Sequence, residues 1–543
     1  MGTFRCPART QFLRVSRRIL HPKGIHVNGQ AHRPPSKRLR LVILAAASAL
    51  TLTTGMAIDA TAATATPPSP SQTTADVPAP PPAKAAGQKI TDTSDCSPAS
   101  LDAKAEKAKP VTDPRAPQQY KGKTIISCVQ VNAPGATKDS AAARDAALAE
   151  QRQRGRTPDE KTLKARLTAA QAARKGDKAA EAKLADNVPL PNWCYDHAFT
   201  GWWKTRTEQC QIADLTVMYY VIVNGRPSHV GTARAQEYSF NYMTYDIDTF
   251  ASQIRVVKYW GERAGNIDFL SNIYGWSTCS GDCKQNSDTG LRPGRFARDV
   301  NNDGQAFYDN TRTEPGGIGY AVPSWHWFVE TASFEPSTTR NQPDPERIRC
   351  DNAFATDGND LGDPASFSAT GVFGNGCVVP SYVPTWIVLK NGLYPTVAYH
   401  VQAAQNSGLP GAYPNGPVLH RLQDSGKKRQ NGDTACPQAP TWVRPTSKSC
   451  DEYPMRSTYE GAKTAPTPGS ARSFAPPAQN VPGIGEWCEM AVTWNVPTGV
   501  TGATGWSSCM LPARDNSGAG SLLGGFYKSN RVLDNDPFLV WPQ

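Results

Sequence analysis

Several things are scarce in this sequence, and each scarcity removes a class of protein. No apolar stretch approaches the ~20 residues that a membrane-spanning helix needs. The nearest to one runs from Leu41 to Leu52. No CxxC motif pairs with a second one or with a His pair, so a structural zinc site has no ligand set. His is rare, with 8 in 543 residues. Residues 1–40 contain ten Lys/Arg and no Asp or Glu; taking those ten from the formal net charge of +11 leaves +1 for the rest. The basic balance therefore belongs mostly to the N-terminal leader and marks no nucleic-acid surface by itself. The 46 Pro and 44 Gly point to turns and linkers rather than long helices.

What is present begins with an address. Lys37-Arg38-Leu39-Arg40 precedes the Leu41–Leu52 run, and Ala60-Thr61-Ala62 follows it. Basic region, short apolar region and small-residue site together read as a secretory signal peptide over residues 1–62. The expected mature protein is secreted and keeps no stable membrane span. With Cys6 assigned to that leader, 12 of the 13 Cys remain, an even number that suits a disulfide framework outside the cell. Pairing each cysteine with the next is the simplest expectation: 96–128, 194–210, 279–283, 350–377, 436–450 and 488–509.

Composition then divides the chain. Residues 63–95 are Ala, Thr and Pro and read as an extended linker. Residues 96–190 form an Ala-rich, charged, mostly helical segment, with a capping box at Thr157-Pro158-Asp159-Glu160 and few apolar residues to bury, hence a solvated helix or stalk. Residues 191–377 are aromatic and β-like. Leu215–Val223 runs into Asn224-Gly225, a hairpin signal, and a mainly β, sandwich- or barrel-like domain is expected. Within it, Asp299-Val300-Asn301-Asn302-Asp303-Gly304 fits half of a calcium loop, but position twelve is Asn310 instead of Glu; Asx-turn chemistry explains it as well. Residues 378–543 form a last unit, in which Tyr394–Gln405 reads as a helix carrying His400. That histidine is either catalytic or packed in a core.

Two clusters in this unit carry chemistry. Asp451-Glu452-Tyr453-Pro454 is followed by Glu460, and Asp515-Asn516-Ser517-Gly518-Ala519-Gly520-Ser521 comes some fifty residues later. Carboxylate and amide oxygens are what Mg²⁺ or Mn²⁺ select. On a regular strand only one of Asp451 and Glu452 would enter a cleft. The small residues after Asn516 would let backbone N–H groups approach a phosphate, and a helix beginning at Ser521 would offer its N-terminus to the anion. Arg456, Lys463, Arg514, Lys528 and Arg531 are candidates to neutralise neighbouring phosphates.

Asp451–Met455, Glu460-Gly461 and Asp515-Asn516-x-Gly518-Ala519-Gly520-Ser521 resemble the NucA/NucB family of secreted bacterial deoxyribonucleases. The likeness extends to Tyr394-Pro395, His400 and Arg531-Val532-Leu533, and covers roughly residues 378–543. It implies a small α+β, ββα-metal-like domain that cuts DNA with Mg²⁺ or Mn²⁺ and little base preference. Transferred residue by residue, it makes Asp451 the general base, with Glu452, Glu460 and Asn516 on the metal or its waters. Asp515 positions the loop, Ser521 contacts phosphate, and Gly518 and Arg531 belong to the substrate side. Departures exist: Ser517 stands where the family has Arg, and residues 464–508 form an insert carrying Cys488 and Cys509. Two other functions compete. One is a cell-surface or glycan-binding protein that uses the 191–377 domain above an inactive C-terminal unit. The other is a delivered toxin with an immunity or inhibitor protein as partner.

Overall fold

In the computed structural model, β-branched and aromatic runs of the middle of the chain pair into one curled antiparallel sheet of thirteen strands. The described residues are 81–84, 96–131, 137–155, 157–184, 186–262, 271–297, 300–333, 335–337, 339–342, 345–354, 374–467, 469–473, 480–481 and 484–543. The expected leader (1–62), the 63–95 linker apart from residues 81–84, and Asp299 of the candidate calcium loop lie outside them.

The sheet's central run is, in spatial order, Glu208–Val223, Arg226–Thr244, Ile247–Glu262, Asn301–Asn310, Cys283–Arg295, Asn272–Gly281 and Ile318–Glu330. Asn224 and Gly225, with φ of 51° and 74°, make the tight turn that the Asn-Gly pair announces. Ile125–Val131 flanks Glu208–Val223 on its free side. Its Ile125 also meets the loop after Ile318–Glu330: the Ser333 hydroxyl accepts from Ile125 N–H at 2.8 Å, and Thr331 donates to the Ile125 carbonyl at 2.7 Å. The curl thus nearly closes on itself, as a barrel does. Tyr219, Phe250, Ile254, Trp325 and Trp327 fill the inside.

Side-chain alternation gives each strand two faces. Along Arg226–Thr244, Ala233 and Ala235 point into the barrel, whereas Tyr238, Phe240 and Tyr242 point outward beneath the helices. There the helix Glu160–Arg174 buries Leu163, Leu167 and Ala170. Full burial of each leucine is worth roughly 1.5–3 kcal/mol. The charged segment is therefore a cover for the sheet and not a free stalk. Its cap also differs from expectation: Asp159 accepts from Thr162 N–H at 2.7 Å, while Thr157 accepts from Asn192 N–H at 3.0 Å. The calcium reading fails on local geometry. Asn301–Asn310 is a ladder strand, and the Asp303 carboxylate is taken by Arg255.

The C-terminal part is α+β. Thr385–Val388, Pro537–Pro542 and Leu419–His420 make one small sheet; Lys448–Tyr453, Trp506–Pro512 and Ala471–Arg472 make another. The helices Pro395–Asn406 and Ala513–Ser529 pack on them. Residues Val77–Gln543 form one compact unit, and buried arginines fasten its parts. Arg206 donates to the carbonyls of Val379, Tyr382, Asn530 and Arg531. Arg349 reaches Asp536 at 2.7 Å, and Arg531 pairs with Asp351. All six disulfides join each cysteine to the next one in the chain, 96–128 through 488–509, as simple succession predicts.

Candidate active site

Lys448–Tyr453 is the edge strand of its small sheet and is antiparallel to Trp506–Pro512, with Asp451 opposite Cys509 and Glu452 opposite Ser508. Cys450 is bridged to Cys436 and Cys509 to Cys488, so cross-links hold both strands next to Asp451. A cleft of about 790 Å³ opens here. Asp451 and Glu452 both line it, contrary to the one-face expectation. The cleft thus takes in side chains from both faces of the strand.

Asp451 faces the His400 helix. His400 is fully buried; its Nδ1 lies 2.7 Å from Asp451 Oδ2 and its Nε2 2.7 Å from Ser507 Oγ. In the tautomer with its proton on Nδ1, that nitrogen donates to Asp451 and Nε2 accepts from the Ser507 hydroxyl. Of the two sequence readings of His400, the core one is observed: it is a buried histidine whose polar edge meets the Asp451 carboxylate. Glu452 faces the opposite side, where it accepts from Arg456 N–H at 3.3 Å. Burial, reinforced by the neighbouring Asp451 carboxylate, pushes Glu452 up to about 7, against the pull of Arg456 and Arg444.

The second cluster is helical, which corrects the loop expectation. Ala513–Ser529 is one helix that starts before Asp515 rather than at Ser521. Asn516 lines the cleft; its amide nitrogen donates to the Cys450 carbonyl at 2.8 Å and to Ser449 Oγ at 3.0 Å, which binds the helix to the Asp451 strand. Ser521 also lines the cleft, its hydroxyl donating to the Ser517 carbonyl one turn earlier. Gly518 has a packing reason: a Cβ there would collide with the ring of Tyr394. It is a close helix contact, not a phosphate cradle. Asp515 accepts from Thr396 at 2.8 Å and so joins the two helices away from the cleft lining.

Two further candidates are engaged elsewhere. Both Glu460 oxygens are taken by His420, one by its backbone N–H at 2.9 Å and one by Nδ1 at 2.8 Å, and Glu460 is not part of the cleft lining. Arg531 is fully buried; its Nε donates to Asp351 at 3.1 Å and its Nη1 to the Tyr245 carbonyl at 2.7 Å. A guanidinium held in the core by the β part cannot meet a substrate, so its substrate-side assignment gives way to a structural one.

Cations nonetheless reach the cleft. Arg444, Arg456 and Lys528 line it, together with Lys428 and Arg429 from the helix Ser425–Ala435. Neither Lys463 nor Arg514 does. Sequence reading missed the helical pair, although the run Lys427-Lys428-Arg429 was the available signal. Among the described residues, no three His, Cys, Asp or Glu side chains group as a metal cage. Glu452 and the Asn516 amide each bring an oxygen to this cleft, and Mg²⁺ commonly keeps several waters and binds through one or two carboxylates plus substrate phosphates. Compared with protein-family models, curated proteins and solved structures, the chain matches none.

Proposed function

We propose that this protein is an exported, metal-dependent nuclease that hydrolyses DNA phosphodiester bonds with little sequence preference. The observation that carries the reading is a single cleft in which Asp451, Glu452 and Asn516 sit among Arg444, Arg456 and Lys428. Oxygen donors for a hard cation and cations for flanking phosphates are the two halves of a phosphodiester site. Glu452 and the Asn516 amide oxygen would hold Mg²⁺ or Mn²⁺. The bound ion would stabilise charge developing on the scissile phosphate.

The chain's own side chains supply the rest. Asp451, fixed by His400 at 2.7 Å, is oriented to take a proton from water. His400 holds that carboxylate from behind, without reaching the substrate, and the Ser507 hydroxyl fixes the far side of its ring. Arg456 and Arg444 serve as phosphate contacts on the Glu452 side. Ser521 is a neutral hydroxyl along the same wall. Export fits six disulfides and the lack, among the described residues, of a helix long and apolar enough to cross a membrane.

The test is plasmid nicking by the full secreted chain with Mg²⁺ or Mn²⁺, with chelator, and with Asp451→Ala. Metal-dependent nicking is expected, reduced at least about 100-fold in the variant. Nicking that survives Asp451→Ala would relocate the site. A folded chain inert with both metals would sink the nuclease reading.

A further inference from the structure

The outer face of the strand pair Asn272–Gly281 and Ile318–Glu330 carries something the nuclease reading does not use. The register places His326 opposite Trp276 and Phe328 opposite Tyr274. Alternation sends Trp325, Trp327 and Val329 into the barrel, so these four rings share the outward face. They form a continuous patch. Trp276 and His326 stack at 5.4 Å, Tyr274 and Phe328 stack at 5.5 Å, and Trp276 meets Phe328 at 6.5 Å. Trp276 remains 42% exposed.

His326 is arranged as a plate, not as a base or a metal ligand. Its Nδ1 is bound to Asn341 Oδ1 and its Nε2 to Thr278 Oγ1, both at 2.8 Å. Both nitrogens are occupied, which holds the imidazole in its stack, tilted 27° from the Trp276 ring. Thr278 and Asn341 also set exposed hydroxyl and amide groups along the rim. Flat apolar faces with neutral hydrogen-bonding edges are the complement of a pyranose ring, which has C–H faces and hydroxyl edges. Single-stranded nucleic acid also stacks on aromatic rings, but its sites add cations along the backbone track. Here the strand ends on Glu330, opposite Asn272 and so next to Tyr274, and a carboxylate at that end opposes a polyanion.

We propose that this aromatic face binds a neutral polysaccharide and tethers the protein to an insoluble glycan matrix, independently of the chemistry in the Asp451 cleft. The experiment is co-sedimentation of the full secreted chain with amorphous cellulose and with chitin, with poly(dT) on beads as the nucleic-acid control. Trp276→Ala and the double variant Trp276→Ala/Tyr274→Ala are compared with Trp276→Phe, and thermal melting confirms that each folds. The expected result is retention on at least one glycan, weakened about tenfold or more by Trp276→Ala and largely restored in Trp276→Phe. Absence of glycan retention, or retention unchanged in the double variant, overturns the proposal. So does loss of poly(dT) retention alone, which would make the face a nucleic-acid platform. Trp276-dependent self-association with no glycan binding would assign it to a second copy and overturn the proposal equally.

Discussion

A carboxylate's behaviour in this molecule depends on what stands behind it. Asp451 has an imidazole at 2.7 Å, Glu460 is taken up by His420, and Glu452 is pushed up to about 7 by burial and by the neighbouring Asp451. Glu208 shows the same enclosure far from the cleft: burial pushes it up to about 7, opposed by a hydrogen bond from the Trp193 indole at 3.2 Å. A carboxyl raised in the folded state binds its proton more tightly there than in the unfolded chain. Its contribution to stability is therefore complete below about pH 4.5 and is lost as pH rises through about 7. Glu208→Gln keeps the acceptor for Trp193 and removes the titration. The urea midpoint of the variant should gain on the parent between about pH 5 and about pH 8; a constant difference across that range would refute the assignment.

At the level of elements, the glycines of the Ala513–Ser529 helix act in opposite ways. Gly518 lies against the ring of Tyr394, at the start of the His400 helix, whereas a Cβ at Gly520 would meet nothing within 4 Å. Gly518→Ala should thus destabilise by about 1–3 kcal/mol through overpacking. Gly520→Ala should stabilise by up to about 1 kcal/mol through helix propensity. Equal effects in chemical denaturation would show that helix contact does not distinguish them. These positions also mark how far the sequence could be read. Asn224-Gly225 announced its turn, the helix over His400 was placed nearly to the residue, and cysteine order predicted every bridge, because each is a local signal. Asp515–Ser521 looks like a loop because its glycines weigh against helix; packing on Tyr394 explains Gly518, and no contact explains Gly520. The capture of Glu460 by His420, of Arg531 by Asp351 and of Leu163 by the sheet all depend on residues far away in sequence. Spacing carries no trace of such partners.

Across the whole molecule, the α+β part and the barrel are held together from within. Arg531 belongs by sequence to the α+β part, yet it is fully buried against Asp351 of the barrel sheet, and Arg349 makes the reverse connection to Asp536. Arg531→Ala leaves Asp351 buried, with Arg349 at 3.5 Å and the Ala353 N–H at 3.3 Å, and should cost about 3 kcal/mol. Chemical denaturation followed by tryptophan fluorescence and by far-ultraviolet circular dichroism would check this, since the two curves should shift together. Separation of the curves would mean that the parts unfold independently.

The order of the disulfides bears on how such a chain is made. Each bridge closes before the next begins, with separations of 4 to 32 residues and no crossing pair. A chain threaded N-terminus first through a translocation pore presents its cysteines in pairing order. Among the described residues, no thiol has to wait past its successor for a distant mate, so oxidation in order of appearance gives the native pairing.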